Sequence, residues 1–432
     1  MLFFCLAIPV LGLIFPASAS EERPNVLWLI AEDMGHQLGC YGHPIATPNI
    51  DRLAREGTRF DQAFCSSPIC SPSRSAFSTG MYATAIHAQD HRTQQALKRE
   101  LPEGIKTIPK WFEDNGYHTS LMGNPKTDWN FLVGKSEYMG TDWSQRKEGQ
   151  PFFTMHNFLE PHRWGWSRWP ELATHLDPDT VPVPPIYPDG PLMRQSIAKY
   201  MDFIIEMDRK VGLVLDRLEE EGLMDNTIII FFGDNGRTIY RGKQWLYDEG
   251  MSVPLIARYP GLFEPGSVSD DLISLIDLAP SSLSLAGCPV PEKMQGKVRF
   301  GKDAAPPAKY VFASRDLSDQ TEDTIRAVRD KRYKYIRNYK PEVGYPASPY
   351  LLKTHPEYTE AREAFELEEL DEKQSLFFQS RKPEHELYDL EADPWETDNL
   401  AEQRDYAEVL QRMRDALDDW ISKSGDVVLN EP

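Results

Sequence analysis

Three short, largely apolar runs in this chain stop abruptly at polar residues. Residues 26–30 read V-L-W-L-I and are followed by Glu32 and Asp33. Residues 152–158 read F-F-T-M-H-N-F and run into E-P-H-R at 160–163. Residues 227–232 read T-I-I-I-F-F and run into G-D-N-G, Gly233 to Gly236. Continuous apolar runs of this length are expected for buried strands of a parallel sheet, covered on both faces. Residues 193–221 show helical periodicity, with Ile197, Met201, Ile204, Val211, Leu215 and Leu218 on one core-facing side. In open α/β sheets, ligands bind beyond the carboxyl ends of the strands. Those ends carry Glu32 and Asp33 in one case and Asp234 and Asn235 in another.

Adjacent carboxylates repel unless a cation lies between them, and hard oxygen ligands suit Ca²⁺ or Mg²⁺. A solvated acidic turn is the plain alternative for either pair. If the two strands are parallel neighbours, four oxygen-bearing side chains reach one edge, enough for a Ca²⁺ site completed by substrate oxygen.

A fourth stretch, C-S-S-P-I-C-S-P-S-R-S-A-F-S-T-G at 65–80, reads as a tight turn into a helix. Pro72 fixes its own φ and disfavours helix at Ser71. A side chain at the start of such a helix meets unpaired N–H groups and a positive dipole end. Arg74 adds a cation with a fork of donors. Cys70 taken alone is a low-pKa thiolate, half of a disulfide, or a small buried residue.

The run C-S-P-S-R, with Thr79 and Gly80 after it, resembles the signature of the type I sulfatase family, formylglycine-dependent members of the alkaline phosphatase superfamily. The resemblance extends through G-N-P-K-T-D-W-N-F at 123–131, P-H at 161–162, G-D-N-G at 233–236, R-G-K-Q-W-L-Y-D-E-G at 241–250 and E-L-Y-D-L-E-A-D-P-W-E-T-D-N-L-A at 386–401. It is closest to the heparan N-sulfatase (sulfamidase) branch and its bacterial relatives. The family fold it implies is α/β: a large, mostly parallel central sheet sandwiched by helices, with a smaller C-terminal α+β subdomain.

The resemblance implies that Cys70 is converted to 3-oxoalanine (formylglycine), and that Glu32, Asp33, Asp234 and Asn235 hold one Ca²⁺. Arg74, Lys126 and Lys243 would neutralise the sulfate, and His162 would shuttle a proton. Asp128 stands where the family usually has His, and Glu32 where Asp is commoner. The implied activity is hydrolysis of a sulfuric ester or sulfamate on a carbohydrate. Asp128, His91, Arg163, Arg241 and Arg315 are the candidate substrate contacts. His87, His91 and Arg92 stand together in a run expected at the pocket mouth, and Trp164, Trp166 and Trp169 follow His162 as sugar platforms or as packing. His156, inside an apolar run, reads as a core residue.

The expected division is a signal peptide at 1–20, a catalytic domain at 21–295 and a C-terminal subdomain with a small antiparallel sheet and helix at 296–432. The leader ends in A-S-A-S, which points to a secreted or periplasmic protein with no stable membrane span after cleavage; a retained anchor is the alternative. Outside Cys5, the cysteines are Cys40, Cys65, Cys70 and Cys288, too few for a disulfide scaffold. A net charge of −20 argues against nucleic acid, so an anionic substrate needs a locally basic pocket. The expected partners are a sulfated saccharide and a formylglycine-generating or anaerobic sulfatase-maturating enzyme. Two other readings compete. A phosphate or phosphonate ester hydrolase would favour a second Asp/His metal cluster, which the sequence does not offer. A catalytically inert sulfated-glycan-binding protein has only Asp128 in its favour.

Overall fold

The structure is a computed structural model that describes residues 23–134 and 136–430. The expected signal peptide, with Cys5, lies outside the described residues. The large sheet is built from β1 (Asn25–Ala31), β2 (Thr58–Phe60), β3 (His118–Gly123), β4 (Phe152–Phe158), β5 (Thr227–Gly233), β6 (Leu255–Arg258) and β7 (Ser267–Ser269). Its spatial order is β3-β4-β1-β5-β6-β2-β7. Only β6 runs against the rest. The strands expected at 26–30, 152–158 and 227–232 are therefore three adjacent interior strands, parallel to one another.

Burial on both faces explains why these runs show no alternation. All seven residues of β1 are buried, as are all seven of β5. Trp28 meets Phe77, Phe153 and Phe232 edge-on at ring separations of 6.0, 5.3 and 5.5 Å. Its indole N–H donates to Ser282 Oγ at 3.0 Å, so the polar corner of the largest core side chain is satisfied. Phe77 comes from helix α1 (Cys70–Thr79), whose ten residues are all buried. That helix is rich in Ser and Thr, and it tolerates burial because its hydroxyls bond. Ser75 donates to Ser71 O at 2.7 Å, Thr79 to Ser75 O at 2.8 Å, and Ser78 Oγ accepts from Trp129 at 2.9 Å. Helix α2 (Pro191–Glu220) covers another part of the sheet, with the six predicted apolar positions all buried.

A second sheet is antiparallel, with order β8 (Val311–Arg315), β9 (Ile325–Arg329), β10 (Tyr333–Asn338) and β11 (His385–Asp389). The stretch between β10 and β11 includes the helices α3 (Pro349–Thr354) and α4 (Pro356–Glu366). A longer helix after the sheet, α5 (Ala407–Ser424), packs Met413, Leu417 and Trp420 against Val328, Tyr335 and Leu387. The opposite face, with Ala313, Ile325, Ala327 and Ile336, joins the main core.

The acidic stretch at 356–372 forms one helix to Glu366, followed by a short helix at Glu372–Ser375, and it is not simply a solvated face. Glu357 is fully buried, because it pairs with Arg163. No disulfide joins the described cysteines; Cys40, Cys65, Cys70 and Cys288 are all free.

Candidate active site

The parallel strands end side by side, and the chain leaves each end carrying chemistry. Ala31 of β1 lies opposite Gly233 of β5 and Phe158 of β4. The ladder continues one step further: Asp234 N–H donates to Ala31 O at 3.0 Å, and Glu32 N–H to Glu160 O at 3.3 Å. Glu32–Asp33, Asp234–Asn235 and the loop bearing His162 are thus brought to one edge. β3 delivers Lys126 to the same place. It can leave the sheet there because Gly123 has a φ of +68°, and a Cβ at that position would lie 2.3 Å from Asn157 O.

Helix α1 starts at Cys70 beneath this edge, with no side chain capping its first turn. The thiol is fully buried. Its Sγ lies 3.1 Å from Lys243 Nζ and 3.6 Å from Asp33 Oδ1. Arg74, one turn along, bonds Glu32 Oε1 at 2.8 Å, Asp234 Oδ2 at 2.9 Å and Asn157 Oδ1 at 3.2 Å. Lys126 Nζ reaches the other oxygen of Glu32 at 2.5 Å, and Lys243 Nζ bonds Asp33 Oδ2 at 2.9 Å. Three buried carboxylates therefore face three cations, a local balance in a chain of net charge −20.

The titration behaviour follows from burial set against these pairs. Burial works to raise Glu32 and Asp33. The cations outweigh it, chiefly Arg74 at Glu32 and Lys243 at Asp33, and hold both carboxyls below their ordinary range. At Asp234 burial wins over Arg74 and lifts the pKa to about 6. Burial also pushes the Cys70 thiol well above its usual range, despite Lys126 and Lys243. The thiol is therefore protonated at neutral pH and is a weak nucleophile as it stands. His162 is drawn down to about 4, mainly by burial. Its Nδ1 accepts the Trp164 N–H at 3.1 Å, so in the neutral ring Nε2 carries the hydrogen. Nε2 lies 3.7 Å from Asp33 Oδ2.

The oxygen-rich donors fit a hard divalent cation. Glu32, Asp33, Asp234 and Asn235 are all fully buried. Asn235 Nδ2 donates to Asp33 Oδ1 at 3.0 Å and to Gly236 O at 2.9 Å. Its Oδ1 is buried with no hydrogen-bond partner among the described residues, an orphan acceptor of the kind a cation completes. Asp33 adopts a φ of +54°, held by its N–H on Asp234 Oδ1 at 2.9 Å and by Tyr200 Oη on its carbonyl at 2.9 Å. Both oxygens of Glu32 already meet cationic side chains, so its place in a metal shell competes with Arg74 and Lys126.

The substrate contacts expected from sequence divide. Asp128 pairs with Lys126 at 3.5 Å and Arg92 at 3.4 Å. Burial opposes its charge, but Lys126 and Arg92 outweigh it and hold the pKa at about 2. His91 is buried against Asp319. The three arginines are tied up elsewhere. Arg163 pairs with buried Glu357 and donates to Thr354 O at 2.9 Å and Thr238 O at 3.2 Å. Arg241 donates to Trp395 O at 2.9 Å and lies 3.9 Å over the Tyr247 ring. Arg315 bonds Asp323 at 2.7 Å and covers Trp245 at 4.0 Å. Their guanidiniums fasten the C-terminal elements to the main core; of their nitrogens, Arg315 Nε is buried with no hydrogen-bond partner among the described residues. Trp166 stacks with Arg163 at 4.2 Å and Trp169 bonds Asp202 at 2.7 Å, so both pack; Trp164 is 73% exposed.

Two participants were not singled out from sequence. Asn157 ties Arg74 to the Lys126 loop, accepting from the first and donating to Lys126 O at 2.8 Å. A polar residue inside an apolar strand run was the available signal. Tyr350, from α3, has its ring 5.9 Å from Lys243 Nζ; nothing local marks it.

An alkaline phosphatase-like sheet with acidic strand ends, basic side chains and a buried helix-start residue defines a hydrolase acting on tetrahedral oxyanions. The chain belongs to the sulfatase family. It matches the Sulfatase family over residues 24–143 and 136–288, and the family described as N-sulphoglucosamine sulphohydrolase, C-terminal, over 236–356. It is 34% identical to an ulvan-active sulfatase of Formosa agariphila, covering 94% of this chain and 76% of that one. It is 28% identical to human N-sulphoglucosamine sulphohydrolase, covering 98% and 93% of the two chains. Among solved structures, a 2-O GAG sulfatase superimposes with a TM-score of 0.69 at 22% identity, over 94% of each chain. The protein is thus a hydrolase of sulfate esters or sulfamates. No described helix is long and apolar enough to cross a membrane.

Proposed function

We propose that this enzyme removes sulfate from a sulfated saccharide, using formylglycine made from Cys70 and a Ca²⁺ held by Glu32, Asp33, Asp234 and Asn235. The observation that carries this is the setting of Cys70. A protonated, fully buried thiol lies 3.1 Å from Lys243 Nζ at the start of a helix, a place built for an anionic centre but with the wrong nucleophile in it. When present, the hydrated aldehyde supplies a hydroxyl nucleophile with a second hydroxyl for release, and the cation supplies Lewis acidity.

The chain's own residues do the rest. Lys126 and Lys243 place their ammonium groups where the equatorial sulfate oxygens gather negative charge, and Arg74 fixes the carboxylates behind them. Because these cations are already ordered by Glu32, Asp33 and Asp234, little reorganisation is needed as charge develops. His162 presents Nε2–H to the site, its tautomer fixed by the Trp164 amide, and holds the proton for the departing oxygen or nitrogen. Asp128 keeps Lys126 and Arg92 at the pocket wall.

The relatives act on ulvan and on N-sulphoglucosamine, which supports a role in degrading sulfated polysaccharide. The reading also implies a formylglycine-generating or anaerobic maturating enzyme as partner, and a secreted or periplasmic location. The test is mass spectrometry of the Cys70 peptide alongside sulfate release from heparan and ulvan oligosaccharides. Cys70→Ala is expected to abolish release while leaving the melting temperature within a degree or two. EDTA is expected to remove activity and added Ca²⁺ to restore it. Full activity with an intact thiol at position 70 would sink the proposal.

A further inference from the structure

His91 is wedged between three segments, two of which carry the lysines nearest Cys70. Residues 90–93 are stitched to 128–130 through Asn130. Its Oδ1 accepts the Thr93 N–H at 2.9 Å, and its Nδ2 donates to Asp90 O at 2.6 Å and Thr93 Oγ1 at 2.9 Å. This holds Arg92 against Asp128 and sets His91 beside the loop of Lys126. On the other side, His91 Nδ1 lies 2.7 Å from Asp319 Oδ1. The second oxygen of Asp319 accepts from Gln244 Nε2 at 2.6 Å, and Gln244 follows Lys243 directly. The third segment is the turn after β8, where Leu317 O accepts the His91 N–H at 2.8 Å.

The pairing with Asp319 fixes the ring. A carboxylate only accepts, so Nδ1 donates, and a neutral imidazole then has its lone pair on Nε2. The His91 side chain is only 3% exposed, yet Nε2 has no hydrogen-bond partner among the described residues. Burial keeps the imidazole below its ordinary pKa, in keeping with the neutral form. Gln244 and Asp319 both sit at positive φ, +80° and +44°, so the backbone on this side is held in an uncommon conformation around the pair. A buried acceptor placed this way is complete only when a donor arrives.

We propose that His91, oriented by Asp319, accepts a hydrogen bond from a hydroxyl or amine of the sugar that bears the sulfate, and so reads the saccharide portion of the substrate. This rests on the sulfated-saccharide reading above. Asp319 is then a positioning residue. With Gln244 Nε2 still donating to the remaining amide oxygen, Asn at this position would present its N–H to Nδ1, place the hydrogen on Nε2 and turn the acceptor into a donor.

The test compares wild type with His91→Ala, His91→Gln and Asp319→Asn on heparan and ulvan oligosaccharides and on 4-nitrophenyl sulfate, which has no sugar hydroxyls. For His91→Ala and Asp319→Asn, kcat/KM on the saccharide is expected to fall about tenfold more than on the aryl sulfate, mostly through KM. His91→Gln, which keeps an acceptor, should recover part of the loss. Nitrogen NMR of the ring in the intact enzyme should show His91 protonated at Nδ1 in wild type and at Nε2 in Asp319→Asn. Equal losses on both substrates, no loss on the saccharide, or a protonated Nε2 in the wild type would overturn the proposal, as would a wild type that cleaves the aryl sulfate and no saccharide. A wild type that cleaves neither would instead overturn the function proposed above, and the ring measurement would still decide the tautomer of His91.

Discussion

Arg163 follows His162 directly and carries the charge that a sulfated substrate would seek, yet its guanidinium is committed to Glu357, Thr354 O and Thr238 O. Glu357 is fully buried, and it also accepts from Ser196 Oγ at 2.8 Å. Arg163→Met keeps the stem but leaves a buried carboxylate and two carbonyls without their donor. Breaking one side of a buried ion pair costs about 3–5 kcal/mol. For 432 residues, the unfolding entropy is roughly 0.9 kcal/mol per kelvin, so the melting temperature should fall by about 3–6 °C. The double change Arg163→Met with Glu357→Met should recover most of that, since no buried charge is then left alone. Calorimetric melting is the assay, with KM for a sulfated oligosaccharide measured well below the melting range. A KM that stays within about twofold supports the clamp. A KM raised tenfold with unchanged melting would refute this account and return Arg163 to the substrate.

Two other expectations follow from particular side chains. His156 is drawn down to about 4 by burial, and its Nδ1 has no partner among the described residues. The unfolded chain therefore binds a proton that the folded chain refuses, and stability should drop as pH falls from about 6.5 toward 4; His156→Leu should flatten that slope in melting curves taken across pH. Trp164, 73% exposed beside His162, is free to stack on a sugar ring. Trp164→Ala should raise KM for oligosaccharides several-fold, leaving melting and turnover of 4-nitrophenyl sulfate almost unmoved, and a drop in melting temperature would count against the platform.

The strands and the residues at their ends were readable because burial on both faces leaves no alternation, and because a parallel sheet gathers its carboxyl ends at one edge. Glu32, Asp33, Asp234 and Asn235 need only that rule to meet. Cys70 and Arg74 were readable from the local run that starts their helix. The fate of Arg163, Arg241 and Arg315 was not, because a long guanidinium goes wherever packing leaves an unpaired carboxylate or carbonyl. Glu357 and the carbonyl of Trp395 are far from Arg163 and Arg241 in sequence, and Asp323, eight residues past Arg315, meets it across the turn between β8 and β9. Tyr350 and Asp319 escaped notice for the same reason: they reach the site from the second sheet and its helices, and no spacing near Cys70 announces them.

All ten residues of helix α1 are buried, Cys70 at its first position included. No second macromolecule can grip a sulfur in that position once the sheet has closed over it. If Cys70 is oxidised as proposed, the oxidising protein must meet the chain while it is still extended. Material refolded after synthesis without that encounter would hold the right shape and an idle thiol.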